Sequence, residues 1–195
     1  MDDKGLIIFI KNPVKGKVKT RIAQDGGDDA ALKIYLALLN ITRSIAIKVD
    51  AQKYLYYSDD VDHDDEWTSQ HFTKIKQDGG DLGEKIHDAF KSILLKHEKV
   101  IIIGSDCVNL THEIVNDAFA RLEDCDVVIG PTFDGGYYLL GIKKINPLLF
   151  TDMPWSSDKV FDETVRRSIQ NADSVYALEK LNDIDYLADW EKYGK

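Results

Sequence analysis

Cysteine is scarce: Cys107 and Cys125 are the two in 195 residues. Both border apolar runs that read as buried strands, so free thiols are expected rather than a disulfide. Their separation is not a zinc-ligand spacing either. Long apolar runs are also missing, and none approaches the ~20 residues that a membrane span needs. The start, Met1-Asp2-Asp3-Lys4-Gly5, lacks the basic region and cleavage site of a signal peptide. A cytoplasmic protein with no membrane span is expected. There is no G-x-S-x-G elbow for a serine hydrolase. There is also no G-x-G-x-x-G after the first apolar run and no G-x-x-x-x-G-K-[ST] phosphate loop. Positive charge is in deficit, with a formal net charge of -9, which argues against a duplex nucleic-acid partner. No repeat, low-complexity tract or linker appears. One domain over residues 1–195 is therefore expected, and the length suits a single core.

What is present is organised around Val100-Ile101-Ile102-Ile103-Gly104-Ser105-Asp106-Cys107. An unbroken β-branched run reads as a strand buried on both faces, as found mid-sheet in α/β proteins. Its carboxyl end releases a carboxylate, and such ends face the ligand crevice of open α/β sheets. Asp126 to Tyr137 repeats the arrangement: a buried run, then a loop with Asp134, Gly135 and Gly136. Asp106 and Asp134 are expected to meet across one crevice.

Leu6 to Ile10 reads as the first strand. The loop after it is basic: Lys4, Lys11, Lys15, Lys17, Lys19 and Arg21 occur with no acid between Lys4 and Arg21. Pro13 and Gly16 prevent an early helix there. A strand, a glycine-containing cationic loop and then a helix can hold phosphate groups; a solvated surface loop is the alternative reading of the same charge. A helix is expected from about Asp28 to Lys48, with Leu32, Tyr35, Leu36, Leu39 and Arg43 at helical spacing. Lys53 to Tyr57 reads as a strand, and Ser58 to Glu66 as an exposed acidic loop in which His63 has no ligand partner at a recognised spacing.

In Gln77-Asp78-Gly79-Gly80-Asp81-Leu82-Gly83-Glu84 the glycine pair allows a close approach of backbone to ligand or a positive-φ turn. Asp81 and Glu84 have the spacing of a helix cap, with Leu82, Ile86, Ala89, Phe90, Ile93 and Leu94 as the buried stripe. Thr111 looks like the cap of the next helix, with Ile114, Val115, Ala118, Phe119 and Leu122 inward. Tyr137 to Ile142 is a strand. Trp155, in a loop with Ser156, walls a substrate pocket or covers the core. A helix from Lys159 to Ile169 would turn Val160, Phe161, Val165 and Ile169 inward. Ser174 to Leu178 is a late strand, and Asn182-Asp183-Ile184-Asp185 would cap a final helix.

Strands alternating with helices imply a mostly parallel sheet covered on both sides. The basic loop, the Gln77 to Gly83 turn, Asp106 and Asp134 then gather along one sheet edge. Mg²⁺ is typically held by one or two carboxylates together with substrate phosphates and water. Asp106 and Asp134 could supply those carboxylates, while Lys15, Lys19 and Arg21 neutralise a diphosphate leaving group. Cys107 beside Asp106 has no histidine in its motif, so it is read as buried rather than as a nucleophile.

The motifs Phe9-Ile10-Lys11-Asn12-Pro13, Gly16-Lys17-Val18-Lys19-Thr20-Arg21, Gln77 to Gly83, Gly104 to Cys107, Gly130 to Tyr138 and Trp155-Ser156 together resemble one family. It is that of the bacterial GT-A-type glycosyltransferases, or nucleotide-diphospho-sugar transferases, of uncharacterised specificity. These are distantly similar to molybdenum-cofactor and phospholactate guanylyltransferases. The resemblance covers nearly the whole chain and implies a Rossmann-like GT-A three-layer sandwich. It implies that Asp106 is the metal-binding acid, with Asp134 a second metal or acceptor-side acid. By the same resemblance Lys19 and Arg21 contact phosphate, and Gln77 and Gly80 lie near the nucleotide. In this family the motif usually continues from Ser-Asp-Cys into proline; here Val108 and Asn109 follow, without proline's fixed φ. The expected function is transfer from a nucleotide-activated small-molecule donor to an acceptor, with Mg²⁺ or Mn²⁺ and a nucleotide-sugar donor. The competing readings are nucleotidyl transfer from a nucleoside triphosphate to a phosphorylated acceptor, and a non-catalytic nucleotide-binding module. Base, sugar, acceptor and oligomeric state are not specified by the sequence.

Overall fold

The computed structural model describes residues 3–194. Its strands are β1 (Lys4–Ile10), β2 (Gln52–Tyr57), β3 (Phe72–Lys76), β4 (Lys99–Ile103), β5 (Val127–Pro131), β6 (Tyr137–Ile142) and β7 (Val175–Ala177). Its helices are α1 (Thr20–Lys48), α2 (Leu82–Leu94), α3 (His112–Asp124), α4 (Val160–Gln170) and α5 (Leu187–Tyr193). The strands form one sheet in the order β3-β2-β1-β4-β6-β5-β7. All neighbours are parallel except β6, which runs antiparallel to both β4 and β5. This is the mostly parallel, two-faced sheet that the alternating pattern predicts, in the Rossmann-like α/β sandwich that the resemblance implies.

Every residue of β4 is buried, as its apolar run requires. Even Lys99 is buried: its ammonium pairs with Asp3 and Glu123 at the strand's start. The sheet separates two apolar layers. Tyr35 and Leu39 of α1 join Val115, Ala118 and Phe119 of α3 on one face. Ile86, Phe90 and Ile93 of α2 form the other, with Phe161 and Val165 of α4 packed against them. Burial of such side chains is worth roughly 1.5–3 kcal/mol each, which fixes the helices to the sheet and the sheet edge to one shape.

Several boundaries differ from the sequence reading. α1 begins at Thr20, eight residues before the expected Asp28, and changes direction at Gly27, where φ is 78° and ψ 164°. Only glycine adopts that backbone readily. Leu36 in α1 and Leu82 in α2 are exposed, not core residues. In α4 the buried line is Val160, Thr164 and Ser168, while Ile169 is exposed. The two hydroxyls bond to carbonyls one turn back, Thr164 to Val160 at 2.7 Å and Ser168 to Thr164 at 2.9 Å. Strand β3 carries no clear apolar signature, with only Phe72 fully buried.

α1 alone among the described residues is long and apolar enough, by length and composition, to cross a membrane. Its apolar side chains Ile34, Tyr35, Leu38, Leu39 and Ala46 are buried in the core of this fold.

Candidate functional site

The sheet order reverses direction at β1, with β2 on one side and β4 on the other. A crevice opens at the carboxyl ends of strands beside such a switch point. Here it is a cavity of about 740 Å³, within the roughly 300–1,000 Å³ of small-molecule sites. Its lining includes Lys11, Lys19, Arg21, Gln77, Asp106, Asp134, Trp155 and Ser156. The expected sheet-edge gathering is present for these residues.

The basic loop between β1 and α1 is held at both ends. Buried Tyr35 donates to the carbonyl oxygen of Lys11 at 2.9 Å and accepts from its N–H at 2.7 Å. Burial pushes that phenol well above its ordinary pKa, so it stays a neutral donor. Asn12 reaches the acidic β2–β3 loop, donating to the Asp60 carbonyl at 2.7 Å and accepting from Asp59 N–H at 3.0 Å. Gln77 donates from its amide to the carbonyls of Ile10 and Tyr56, each at 3.1 Å, so it ties strand ends together as well as lining the crevice.

Lys19 stands at the N-terminus of α1 in the left-handed region, φ 46° and ψ 48°. A non-glycine residue there is strained, and such strain clusters at functional sites. Its side chain is 8 % exposed, with Nζ 3.0 Å from Asp106 Oδ1 and 3.5 Å from Asp185 Oδ1. Arg21 Nη1 lies 2.5 Å from Asp185 Oδ2, and its guanidinium sits over the Tyr186 ring at 5.7 Å.

The carboxylates come from three places. Asp106 follows β4. Asp134 tips the β5–β6 hairpin, where its Oδ1 accepts from the Thr132 hydroxyl at 2.5 Å and Gly136 N–H at 3.0 Å. Gly135 next to it has φ 92°, and a Cβ there would collide with the Asp158 carbonyl. Asp183 and Asp185 flank fully buried Ile184, which anchors in the α1 layer with Ile22, Ala31, Ile34 and Leu38. Ile184 points into the core while the acids on either side of it line the crevice.

Oxygen atoms of Asp134, Asp183 and Asp185 all lie within 4.8 Å of one another. Asp106 shares their cavity but is outside that close group; its carboxylate pairs with Lys19. The expected Asp106–Asp134 pair is thus one crevice but not the tightest carboxylate set. Burial first, then the charges of Asp134, Asp185 and Asp106, pushes the Asp183 carboxyl up to about 6. Excess negative charge of this kind, among oxygen ligands alone, fits a hard divalent cation.

Three expected residues fall outside the cavity lining. Lys15 instead pairs with Asp29 at 2.7 Å. Gly79 and Gly80 form the approach to α2, with Gly80 N–H bonded to Glu84 Oε2 at 2.7 Å. Asp81 Oδ1 accepts from Glu84 N–H at 2.9 Å, so the helix-cap reading accounts for that turn. Cys107 is buried, and burial pushes its thiol up to about 11, leaving no thiolate at neutral pH. Asp183 and Asp185 do not cap α5; Asp189 accepts from the N–H groups of Asp185 and Tyr186 instead. The acid–Ile–acid alternation at 183–185 is the sequence signal for their real position. Trp155 both walls the cavity and packs on the core.

A switch-point crevice lined by lysine, arginine and clustered carboxylates places the chain among Rossmann-like α/β proteins of the nucleotidyl- and sugar-transferase fold. It belongs to the DUF2064 family, described as "uncharacterized protein conserved in bacteria", whose family model matches residues 41–157. No curated protein sequence matches it. Among solved structures it is similar to a provisionally assigned nucleotide-diphospho-sugar transferase from Desulfovibrio desulfuricans G20. The two are 31% identical with a TM-score of 0.87, covering 95% of this chain and 84% of that one. The 4-diphosphocytidyl-2C-methyl-D-erythritol synthase of Anaerococcus prevotii DSM 20548 shares the fold, at 11% identity and TM-score 0.59, over 98% of this chain and 94% of that one. So does a CMP:2-keto-3-deoxy-manno-octonic acid synthetase complexed with CTP, at 10% identity and TM-score 0.56, over 97% and 96% of the two chains.

Proposed function

We propose that this protein is a metal-dependent transferase that uses a nucleotide-sugar donor. The observation that carries the reading is the buried Lys19 ammonium set between Asp106 and Asp185, beside the carboxylate trio. Such a site holds fixed charge of both signs, which suits a divalent ion and a diphosphate together. The similarity to the Desulfovibrio protein supports the same reading.

In this proposal Asp134, Asp183 and Asp185 hold Mg²⁺ or Mn²⁺, with Asp106 beside them. The bound ion supplies charge neutralisation to a departing diphosphate. Lys19 and Arg21 add positive charge beside the trio. Both pair with Asp185, so a cation on Asp185 would free them for phosphate oxygens. The Asp106 carboxylate keeps the Lys19 ammonium aimed into the crevice.

The test is incubation with Mg²⁺ or Mn²⁺ and a panel of sugar nucleotides and nucleoside triphosphates, followed by assay of the released phosphates. Release of nucleoside diphosphate from a sugar nucleotide is expected. Pyrophosphate release that depends on a phosphorylated acceptor would replace this reading with nucleotidyl transfer.

A further inference from the structure

Four cations line the cavity: Lys11, Lys19, Arg21 and Lys85. Lys19 and Arg21 pair with Asp106 and Asp185. Lys11 is exposed on its loop. Lys85, in the first turn of α2, is half-buried, and its ammonium has no partner among the described residues. Acids stand close by on the same helix. Asp81 is four residues before it and Asp88 three after, spacings at which ion pairs form. Asp81 Oδ1 instead accepts from Glu84 N–H at 2.9 Å, and Asp88 Oδ1 lies 2.8 Å from His87 Nδ1. Leu82, Lys85 and Ile86, spaced i, i+3 and i+4, are the residues by which α2 lines the cavity. A half-buried ammonium on that face, left unpaired, gives up hydration without return. An anion arriving in the cavity supplies what its own helix withholds.

The cations that serve a diphosphate belong to the other side of the sheet. Val18 beside Lys19, Ile22 beside Arg21 and Ile184 beside Asp185 are all buried on the α1 side. Ile86 beside Lys85 is buried in the α2 layer, where Phe9 packs. Phe9 and Ile10, at the end of β1, line the cavity between the two layers. The crevice therefore has a paired cationic pole on one face of the sheet and an unpaired one on the other. A neutral sugar joined to a nucleoside diphosphate carries its charge in the diphosphate alone, and Lys19, Arg21 and the metal provide for that. The anion that Lys85 lacks is a second one. We propose that Lys85 is a specificity-determining residue for a second anionic group, a phosphate or carboxylate carried by the acceptor or by the transferred sugar. This rests on the nucleotide-sugar reading above.

The test compares the wild type with Lys85→Gln and Lys85→Arg, as full chains, by calorimetry with Mg²⁺. UDP, GDP, ADP and CDP are titrated first. Whichever binds the wild type should bind Lys85→Gln within about twofold, whereas Lys19→Met should weaken it about tenfold or more. Two arms then locate the second anion. If the acceptor carries it, the protein saturated with that diphosphate binds inorganic phosphate or malonate. If the sugar carries it, the wild type favours the glucuronate ester of that diphosphate over its glucose ester. In either arm Lys85→Gln should lose the effect about tenfold and Lys85→Arg should retain it, since a charge-assisted contact is removed in one and kept in the other. The ligand-free Tm of Lys85→Gln should match the wild type, because no partner within the protein is lost.

A bare diphosphate weakened as much by Lys85→Gln as by Lys19→Met would assign Lys85 to the diphosphate and overturn the proposal. So would a loaded wild type that binds neither anion and shows no preference for the glucuronate ester, an effect that survives in Lys85→Gln, or a lowered ligand-free Tm, the mark of a structural lysine. A wild type that binds no nucleoside diphosphate overturns the parent reading as well, and that is seen before any variant is made.

Discussion

The backbone N–H of Ile184 donates a 2.9 Å hydrogen bond to the carbonyl oxygen of Asp106. One bond thus ties the loop carrying Asp183 and Asp185 to the end of the central strand, bringing acids far apart in the chain to one crevice. The anchor beneath it is Ile184 itself, fully buried. Ile184→Ala is expected to cost about 2–5 kcal/mol by cavity formation and to lower divalent-ion affinity although no carboxylate is changed. Chemical denaturation and Mn²⁺ titration measure the two effects.

Asp183 gives the site a pH signature. Its carboxyl is raised to about 6 in the folded protein from an ordinary 3.8, so the folded state binds its proton more tightly. That contribution to stability is complete below 3.8, is lost as pH rises to about 6, and leaves a deficit at pH 7. Asp183→Asn should therefore stabilise the ion-free protein at pH 7 by about 1–2 kcal/mol, discounted for partial solvent screening. The gain should vanish near pH 4, while Mn²⁺ affinity falls. Thermal unfolding from pH 4 to 8 would show it.

Lys19→Met removes the buried cation but leaves the carboxylate trio. Nucleoside diphosphate binding with Mg²⁺ should weaken at least tenfold, about 1.4 kcal/mol or more. Mn²⁺ alone should bind no more weakly than to the wild type, because Asp185 has lost a competing partner. Calorimetry with each ligand separates these outcomes.

The hairpin that delivers Asp134 depends on Gly135. Its φ of 92° and the Asp158 carbonyl against it leave no room for a Cβ, and its own carbonyl accepts from Phe161 N–H at 2.9 Å near the start of α4. Gly135→Ala should destabilise by about 2 kcal/mol or more and abolish turnover. Denaturant midpoints and activity would report both.

Cys107 tests the opposite case. A buried thiol raised to about 11 is almost wholly protonated at pH 7, so it is a poor nucleophile. Cys107→Ala should lose packing stability, on the order of 1 kcal/mol, yet keep its turnover within about twofold once folded. A rate collapse in folded protein would contradict this.

The sequence announced the centre of the fold more clearly than its edges. The apolar run ending in Asp106 can be only a buried strand, and Asp81 and Thr111 cap the helices their spacing indicates. Lys11, Lys19, Arg21, Gln77 and Asp134 also reach the predicted crevice. The unread parts have physical causes. Asp183 and Asp185 look like helix caps because their role depends on where Ile184 is buried, a tertiary fact. In α4 the expected Val160, Phe161 and Val165 do face the core, but Thr164 and Ser168 share its buried line, which apolar periodicity overlooks. The helix expected from about Asp28 starts earlier, at Thr20, because the chain is helical on both sides of the break at Gly27.

That break separates a short leading segment, which carries Thr20, Arg21 and Ile22, from the long body of α1. A Cβ at Gly27 would meet nothing within 4 Å, so the position acts as a joint rather than a packing contact. The leading segment leans on α5: Ile22 lies in a layer that Leu187 packs against, and Leu187 also faces Gly26. The last helix thus buttresses, from outside the site, the segment that carries Thr20 and Arg21 into the crevice lining.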